Sequence, residues 1–322
     1  MSGTKIIIVT RKKGKMLRRI LQVFIIISIV FSSAVVSFAQ NESAPEQEEW
    51  NPVSAGPIAT WTAPLCGKGK FVVQPFFFYN RTRGFLNSEG HYDSLAKGDK
   101  KYQYQQQLFM QYGLTDRLEI DAQVVYQENV RKQDGLKAHS DGLGDSYLFF
   151  RYCAIEEKGW MPHLDGLLQL KFPTGKYQHA DPDKLGTDLM GSGSYDQGFG
   201  INLTKKIKPF ILYADAIYSF PQEAKIDGVE TKCAEYLNYD FGAECFLPEG
   251  FNLMLEVNGF LQGDKKENAG YTPDSDVRCL TMSAGIGWSC DKIQTLLAYQ
   301  RTILGTNTDA NDSVVITVVY TF

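Results

Sequence analysis

No two of the six cysteines form a C-x-x-C pair: Cys66, Cys153, Cys233, Cys245, Cys279 and Cys290 stand far apart. That spacing argues against a zinc site or a thioredoxin-like motif, and in an exported chain it leaves any disulfide connectivity open. Cys153 and Cys245 read as small apolar residues filling strand positions. Histidine is scarce as well, with four in the chain: His91, His139, His163 and His179. There is no G-x-S-x-G, and no histidine falls at mid-strand beside a serine and an amide partner, as lipid hydrolysis would require. A pair such as His139 with Asp141 is the remaining enzymatic alternative. "CGKGKF" near Cys66 lacks the spacing of a phosphate loop. Asp181, Asp183 and Asp188, and likewise "TNTDANDS", lack the calcium-loop pattern. The expectation is therefore a protein that is not an enzyme and has no catalytic residue, metal or cofactor.

Acidic residues are missing before Glu42, where Lys5, Arg11, Lys12, Lys13, Lys15, Arg18 and Arg19 crowd together. "ILQVFIIISIVFSSAVVSFAQ" follows, with small residues Ser37 and Ala39 around Phe38. This is the layout of a signal peptide over residues 1–39, cut after Ala39. An uncleaved membrane anchor is the alternative, although Gln22, Ser28, Ser32 and Ser33 interrupt the apolar run. Cleavage takes away seven basic groups and no acidic one, so 33 basic against 37 acidic residues become 26 against 37, and the net charge goes from −4 to −11. Such an acidic chain is not expected to bind nucleic acid. Residues 40–69, opening on "NESAPEQEEWNP", read as a flexible polar periplasmic segment.

From about Lys70 to the end no helical period is found. What is there instead is strict alternation. In "SVVITVVYTF", Val314, Ile316, Val318, Tyr320 and Phe322 share one face, against Val315, Thr317, Val319 and Thr321. In "LEIDAQVVYQ", Leu118, Ile120, Ala122, Val124 and Tyr126 oppose Glu119, Asp121, Gln123 and Gln127. The polar faces carry Gln, Asn, Thr, Ser and scattered acids, while lysines gather in the turns. A soluble sandwich would show mixed lysine and glutamate outside. Strands of about ten residues, apolar outside and polar within, with aromatics near their ends, are the pattern of an outer-membrane barrel. Short connections at 113–117, 156–162, 205–209, 247–251 and 289–293 alternate with long ones at 84–100, 132–144, 175–194, 222–233, 263–277 and 305–312. The expected fold is all-β: an antiparallel transmembrane β-barrel of about 12 strands over residues 70–322, with both termini periplasmic.

Three stretches occur in order: "GLGDSYLFFRY" (142–152), "KFPTGKY" (171–177) and "GSGSYDQGFG" (191–200). Together with the turn "YGLTDRLEI" they resemble the MetA-pathway of phenol degradation family, a group of outer-membrane channels. The resemblance covers Tyr112 to Gly200. It implies a barrel in the outer membrane of a Gram-negative-type bacterium that passes a small hydrophobic or aromatic solute. The terminal "VYTF", ending on Phe322, resembles the signal read by the barrel-assembly machinery, so that machinery and outer-membrane lipid are the expected partners besides the solute.

Parity places Glu119, Asp121, Asp145, Asp165, Asp196, Asp215, Asp240, Glu244 and Glu256 in the lumen, against Arg151 and Lys171. A water-filled lumen with that excess of acids would favour cations. The alternative is a lumen filled by its own side chains, with Arg151 and Lys171 paired to Asp165 or Asp145. Residues 175–194 either fold inward to narrow the pore or lie on the surface. A passive channel is the functional expectation; a plugged structural or adhesive barrel, or less readily a hydrolase, is the alternative.

Overall fold

The computed structural model describes residues 50–268, 270–290 and 292–322. The expected signal peptide, and the acidic start of the segment after it, lie outside the described residues. The alternating stretches form twelve long strands: β1 (Phe71–Leu86), β2 (Lys100–Gly113), β3 (Leu118–Gln133), β4 (Ser146–Ile155), β5 (His163–Phe172) and β6 (Asp196–Ile207), then β7 (Phe210–Pro221), β8 (Tyr236–Phe246), β9 (Phe251–Gln262), β10 (Val277–Cys290), β11 (Ile293–Thr306) and β12 (Thr308–Thr321). Each pairs antiparallel with its neighbours in the chain. β1 also pairs with β12, through Phe76 opposite Thr317 and Phe77 opposite Ile316, so the sheet closes on itself. Closure removes the edges that hydrocarbon cannot satisfy. The expected twelve-stranded antiparallel barrel is the fold.

In β12 the residues Val314, Ile316, Val318 and Tyr320 face out, while Ser313, Val315, Thr317 and Val319 are buried within. Outward aromatics recur eight residues apart: Phe71 and Tyr79 in β1, Tyr104 and Tyr112 in β2, Phe210 and Tyr218 in β7. Eight residues span roughly 26 Å of strand, somewhat less across a tilted wall. That matches the apolar band of about 25 Å between two aromatic girdles.

The five short connections cluster at one end of the barrel. At the other end two expectations need correction. Residues 132–144 are a hairpin rather than a loop: β3 turns at Asp134 and Gly135 (φ 51° and 85°), and Leu136–Leu143 pairs back onto it. Residues 305–312 are not a long connection at all. Only Asn307, at φ 50°, separates β11 from β12. The polar residues that look like loop are strand residues with partners, Asp309 to Lys101 at 2.5 Å and Asp312 to Arg83 at 3.0 Å. Beyond the lipid band neither face has to be apolar, so turn-like composition does not end the ladder. Two of the true long loops contribute a small separate sheet of Ala224–Ile226, Val229–Lys232, Lys266–Glu267 and Gly270–Tyr271.

A third correction concerns residues 51–69 of the segment expected at 40–69. Where a flexible polar segment is expected, the chain enters the barrel. Ala55 and Ile58 pack into an apolar cluster with Phe76, Met254, Leu296 and Val315, which are contributed by the inward faces of four strands.

Candidate functional site: the barrel interior

The apolar content of "GPIATWTAPL" drives this segment inward, and an extended chain inside a barrel brings unpaired backbone groups with it. Inward carboxylates receive them. Glu256 in β9 accepts the backbone N–H groups of Ile58 (2.9 Å), Ala59 (3.2 Å) and Thr60 (3.0 Å), and also the Thr60 hydroxyl (2.7 Å). Asp215 in β7 accepts from the Trp61 N–H at 2.7 Å, and Glu119 in β3 from that of Cys66 at 2.6 Å. Glu244 takes the Ser54 hydroxyl and the Tyr213 hydroxyl, the latter at 2.7 Å. Asn202 donates to the Trp61 carbonyl at 2.6 Å, and the Thr204 hydroxyl accepts from Ala63 at 3.2 Å. Hydrogen bonds to charged groups contribute about 1.5–3 kcal/mol each, so this set is a specific dock for one segment.

Arg151 in β4 extends the dock. It bridges Glu119 at 2.8 Å and Asp165 at 2.9 Å, donates to the Thr62 carbonyl, and lies 5.3 Å from the Trp61 ring centre. Asp121 is fully buried beside the Glu119–Arg151 pair. Asp240 accepts from Asn258 at 2.9 Å and stands across the ladder from Asp215. Lys171 pairs with Asp196 at 2.5 Å, and Asp145 lies 4.0 Å away. The eleven residues named from parity are buried or half-buried, and three of them, Asp145, Arg151 and Asp240, border the large internal cavity. The rest lie under the inner segment or in ion pairs. Parity reveals direction but not coverage, and coverage depends on a segment far away in sequence.

Cys153, His163 and Asp165 bring three kinds of donor within 4.8 Å of one another, all buried. Both Asp165 oxygens are engaged, one by His163 at 2.8 Å and one by Arg151. A cation there competes with a guanidinium. His139 is exposed on the Leu136–Leu143 strand and meets Glu128 at 3.0 Å. All six cysteines are free.

The loop at 175–194 folds inward. Arg131 donates to the Leu185 carbonyl at 3.0 Å, Asn129 to that of Thr187 at 2.9 Å and Gln127 to that of Met190 at 3.2 Å. The three motif stretches converge at its base. Asp145 accepts the N–H and hydroxyl of Ser192 (2.9 and 2.7 Å) and the N–H of Gly175 (3.3 Å), while the Thr174 hydroxyl donates to the Gly144 carbonyl at 2.7 Å. A Cβ on Gly191 would stand 2.5 Å from the Gly175 carbonyl oxygen, so the crossing needs glycine. The G-x-G-D, P-T-G and G-S-G-S stretches are a clamp that turns the loop into the lumen.

Between loop and inner segment lies a cavity of about 1060 Å³. The strands that wall it bear amides and aromatics in alternation with the outward apolar residues, among them Gln103, Gln105 and Gln107 of β2, and Tyr147 and Phe149 of β4. The glutamine face was visible in the sequence as polar alternation; the role of Thr60, Trp61 and Cys66 was not.

No protein-family model matches the chain, and no curated protein matches it. Among solved structures, an outer-membrane channel from Pseudomonas putida F1 superposes with a TM-score of 0.67 at 15% identity, covering 84% of this chain and 100% of that one. This chain has the fold of an outer-membrane β-barrel. Looser likenesses are the translocator domain of the autotransporter NalP from Neisseria meningitidis (TM-score 0.43, 13% identity, 79% and 88% covered) and the NanC porin (0.48, 8%, 77% and 98%).

Proposed function

We propose that this barrel is an outer-membrane channel for small solutes whose passage is controlled by its own inner segment. The observation that supports the reading most is the pairing of a large polar cavity with a segment held across the lumen by Glu119, Asp215, Glu244 and Glu256. A structural barrel has no need of an open, polar chamber, and a wide-open porin has no need of the dock. With most carboxylates engaged, ion preference is expected to be weak rather than strongly cationic. The reading includes export by the signal peptide, periplasmic termini beside the short turns, and contact with outer-membrane lipid. It also includes delivery by the barrel-assembly machinery through the terminal strand, whose Phe322 packs on Tyr320 (4.6 Å) and Phe71 (5.9 Å). It includes no catalytic chemistry. The MetA-pathway resemblance agrees with a channel and rests on the three motif stretches.

A plugged structural barrel is the second reading, favoured by the same dock if the segment never leaves. Solute flux into liposomes separates the two. Uptake of small solutes by proteoliposomes, absent from protein-free vesicles, supports a channel; flux no greater than the protein-free background supports a plug.

A further inference from the structure

We infer that the cavity binds a neutral saccharide: a compact, hydroxyl-rich ring rather than a bare aromatic compound or an ion. The inference deepens the channel reading and rests on it only for transport; binding is tested separately.

The wall formed by β2, β3 and β4 carries the argument. Gln103, Gln105 and Gln107 project inward at successive alternate positions of β2, and register sets Gln105 opposite Gln127 and Phe109 opposite Gln123. Each side-chain amide offers two donors and an acceptor, which matches vicinal hydroxyls without any net charge. Neighbours hold these amides in place: Gln103 bonds Asn80 (2.9 Å), Gln127 (3.1 Å) and Asn129 (2.9 Å), and Gln107 accepts from Gln123 at 2.7 Å. Gln105, between them, makes no side-chain hydrogen bond among the described residues and borders the cavity. An amide left open within an ordered amide row is a place for a ligand hydroxyl.

The second observation is independent. Tyr147 and Phe149 stack with ring centres 5.9 Å apart and planes within 6°, and register places Tyr147 directly across from Gln123. Trp61 of the inner segment closes on Phe149 at 4.7 Å. The half-buried Tyr147 ring beside the amide row, with Phe149 buried under Trp61, offers what a saccharide ring requires, an apolar surface for its C–H groups and neutral hydrogen bonds for its rim. A hydrophobic aromatic solute would displace water from the open Gln105 amide and leave it without a partner, which is costly for a polar group. An ion would find no single-signed lining: Arg131 and Lys101 border the space as well as Asp145 and Asp240.

The test is a fluorescence titration of the full mature chain in detergent, using glucose, maltose, phenol and tetramethylammonium as probes. Trp61 reports from the cavity wall, and a Trp61→Phe variant identifies its share of the signal. The expected result is a saturable response to glucose or maltose that weakens about fivefold to tenfold in Gln105→Leu. Tyr147→Leu should weaken it as well, with both variants keeping the heat-modifiable gel migration of a folded barrel. Saturable binding of phenol or tetramethylammonium with no response to either sugar would overturn the inference, as would sugar binding unchanged in both folded variants. Sugar binding without flux into proteoliposomes would uphold the saccharide site and overturn the channel reading instead.

Discussion

Glu256 and Thr60 lie 196 residues apart in the chain, and one carboxylate oxygen, Oε1, accepts both the backbone N–H (3.0 Å) and the hydroxyl (2.7 Å) of that threonine. The contact ties the entrance segment to the ninth strand. It predicts that Glu256→Gln, which keeps the shape and removes the charge, loosens the segment while the barrel stays folded. Each charge-assisted hydrogen bond weakened contributes about 1.5–3 kcal/mol, enough in sum to shift a docked segment. A protease cutting within residues 51–66 should act faster on the variant than on the parent, with the heat-modifiable gel shift retained. Equal cutting rates would mean that the dock is not what holds the segment.

Cys66 sits in that segment. Burial pushes its thiol up to about 12, reinforced by the adjacent Glu119 carboxylate. Little thiolate then exists near neutrality, so iodoacetamide should label Cys66 far more slowly than a free thiol with a pKa of about 8.5. Labelling followed by peptide mass should show the rate rise once the segment is loosened by Glu256→Gln. A thiol that reacts at the free rate in the parent would place Cys66 outside the barrel.

The inward loop has its own pH dependence. Burial raises the Asp188 carboxyl, but the Lys176 ammonium at 2.5 Å and the Asp181 N–H at 3.0 Å outweigh it and hold the group below its usual value. A depressed carboxylate contributes stability above its unfolded value of about 3.9, lost as pH falls through the lower folded value. Hydrogen exchange of residues 181–191 should therefore be flat from pH 7 to about 5 once corrected for intrinsic rates, and rise in protection loss below about pH 4. Lys176→Met should remove that acid step.

Leu255 is 63% exposed on the outer face of β9. If lipid covers it, Leu255→Arg should destabilise folding into vesicles by about 2–4 kcal/mol, read from urea titration. A change near zero would place Leu255 outside the hydrocarbon.

The wall of the barrel was legible because lipid on one side and polar groups on the other impose a period of two on every strand, as in Leu118–Gln127 and Val314–Phe322. Tight turns such as 113–117 were legible for the same reason, since the pattern breaks there. Asp309 and Asp312 misled because they lie in a strand whose polar residues find partners in Lys101 and Arg83, so a turn-like composition does not end the ladder there. The purpose of Glu119, Asp215 and Glu256 could not be read from parity. Their partners are backbone groups of residues 58–66, and backbone groups carry no signature in a sequence. Asp145 was legible as an inward acid, but its function as the clamp on Ser192 and Gly175 emerges only when three separate motifs meet.

The central claim is that the inner segment, docked on lumen carboxylates, controls an otherwise continuous passage. Single-channel recording of the mature chain in planar bilayers, beside the Asp215→Asn/Glu256→Gln double variant, tests it most directly. The account predicts rare, small openings in the parent and steady, larger steps in the variant, with little preference between cations and anions. Equal conductance in the two, whether high or absent, would contradict it.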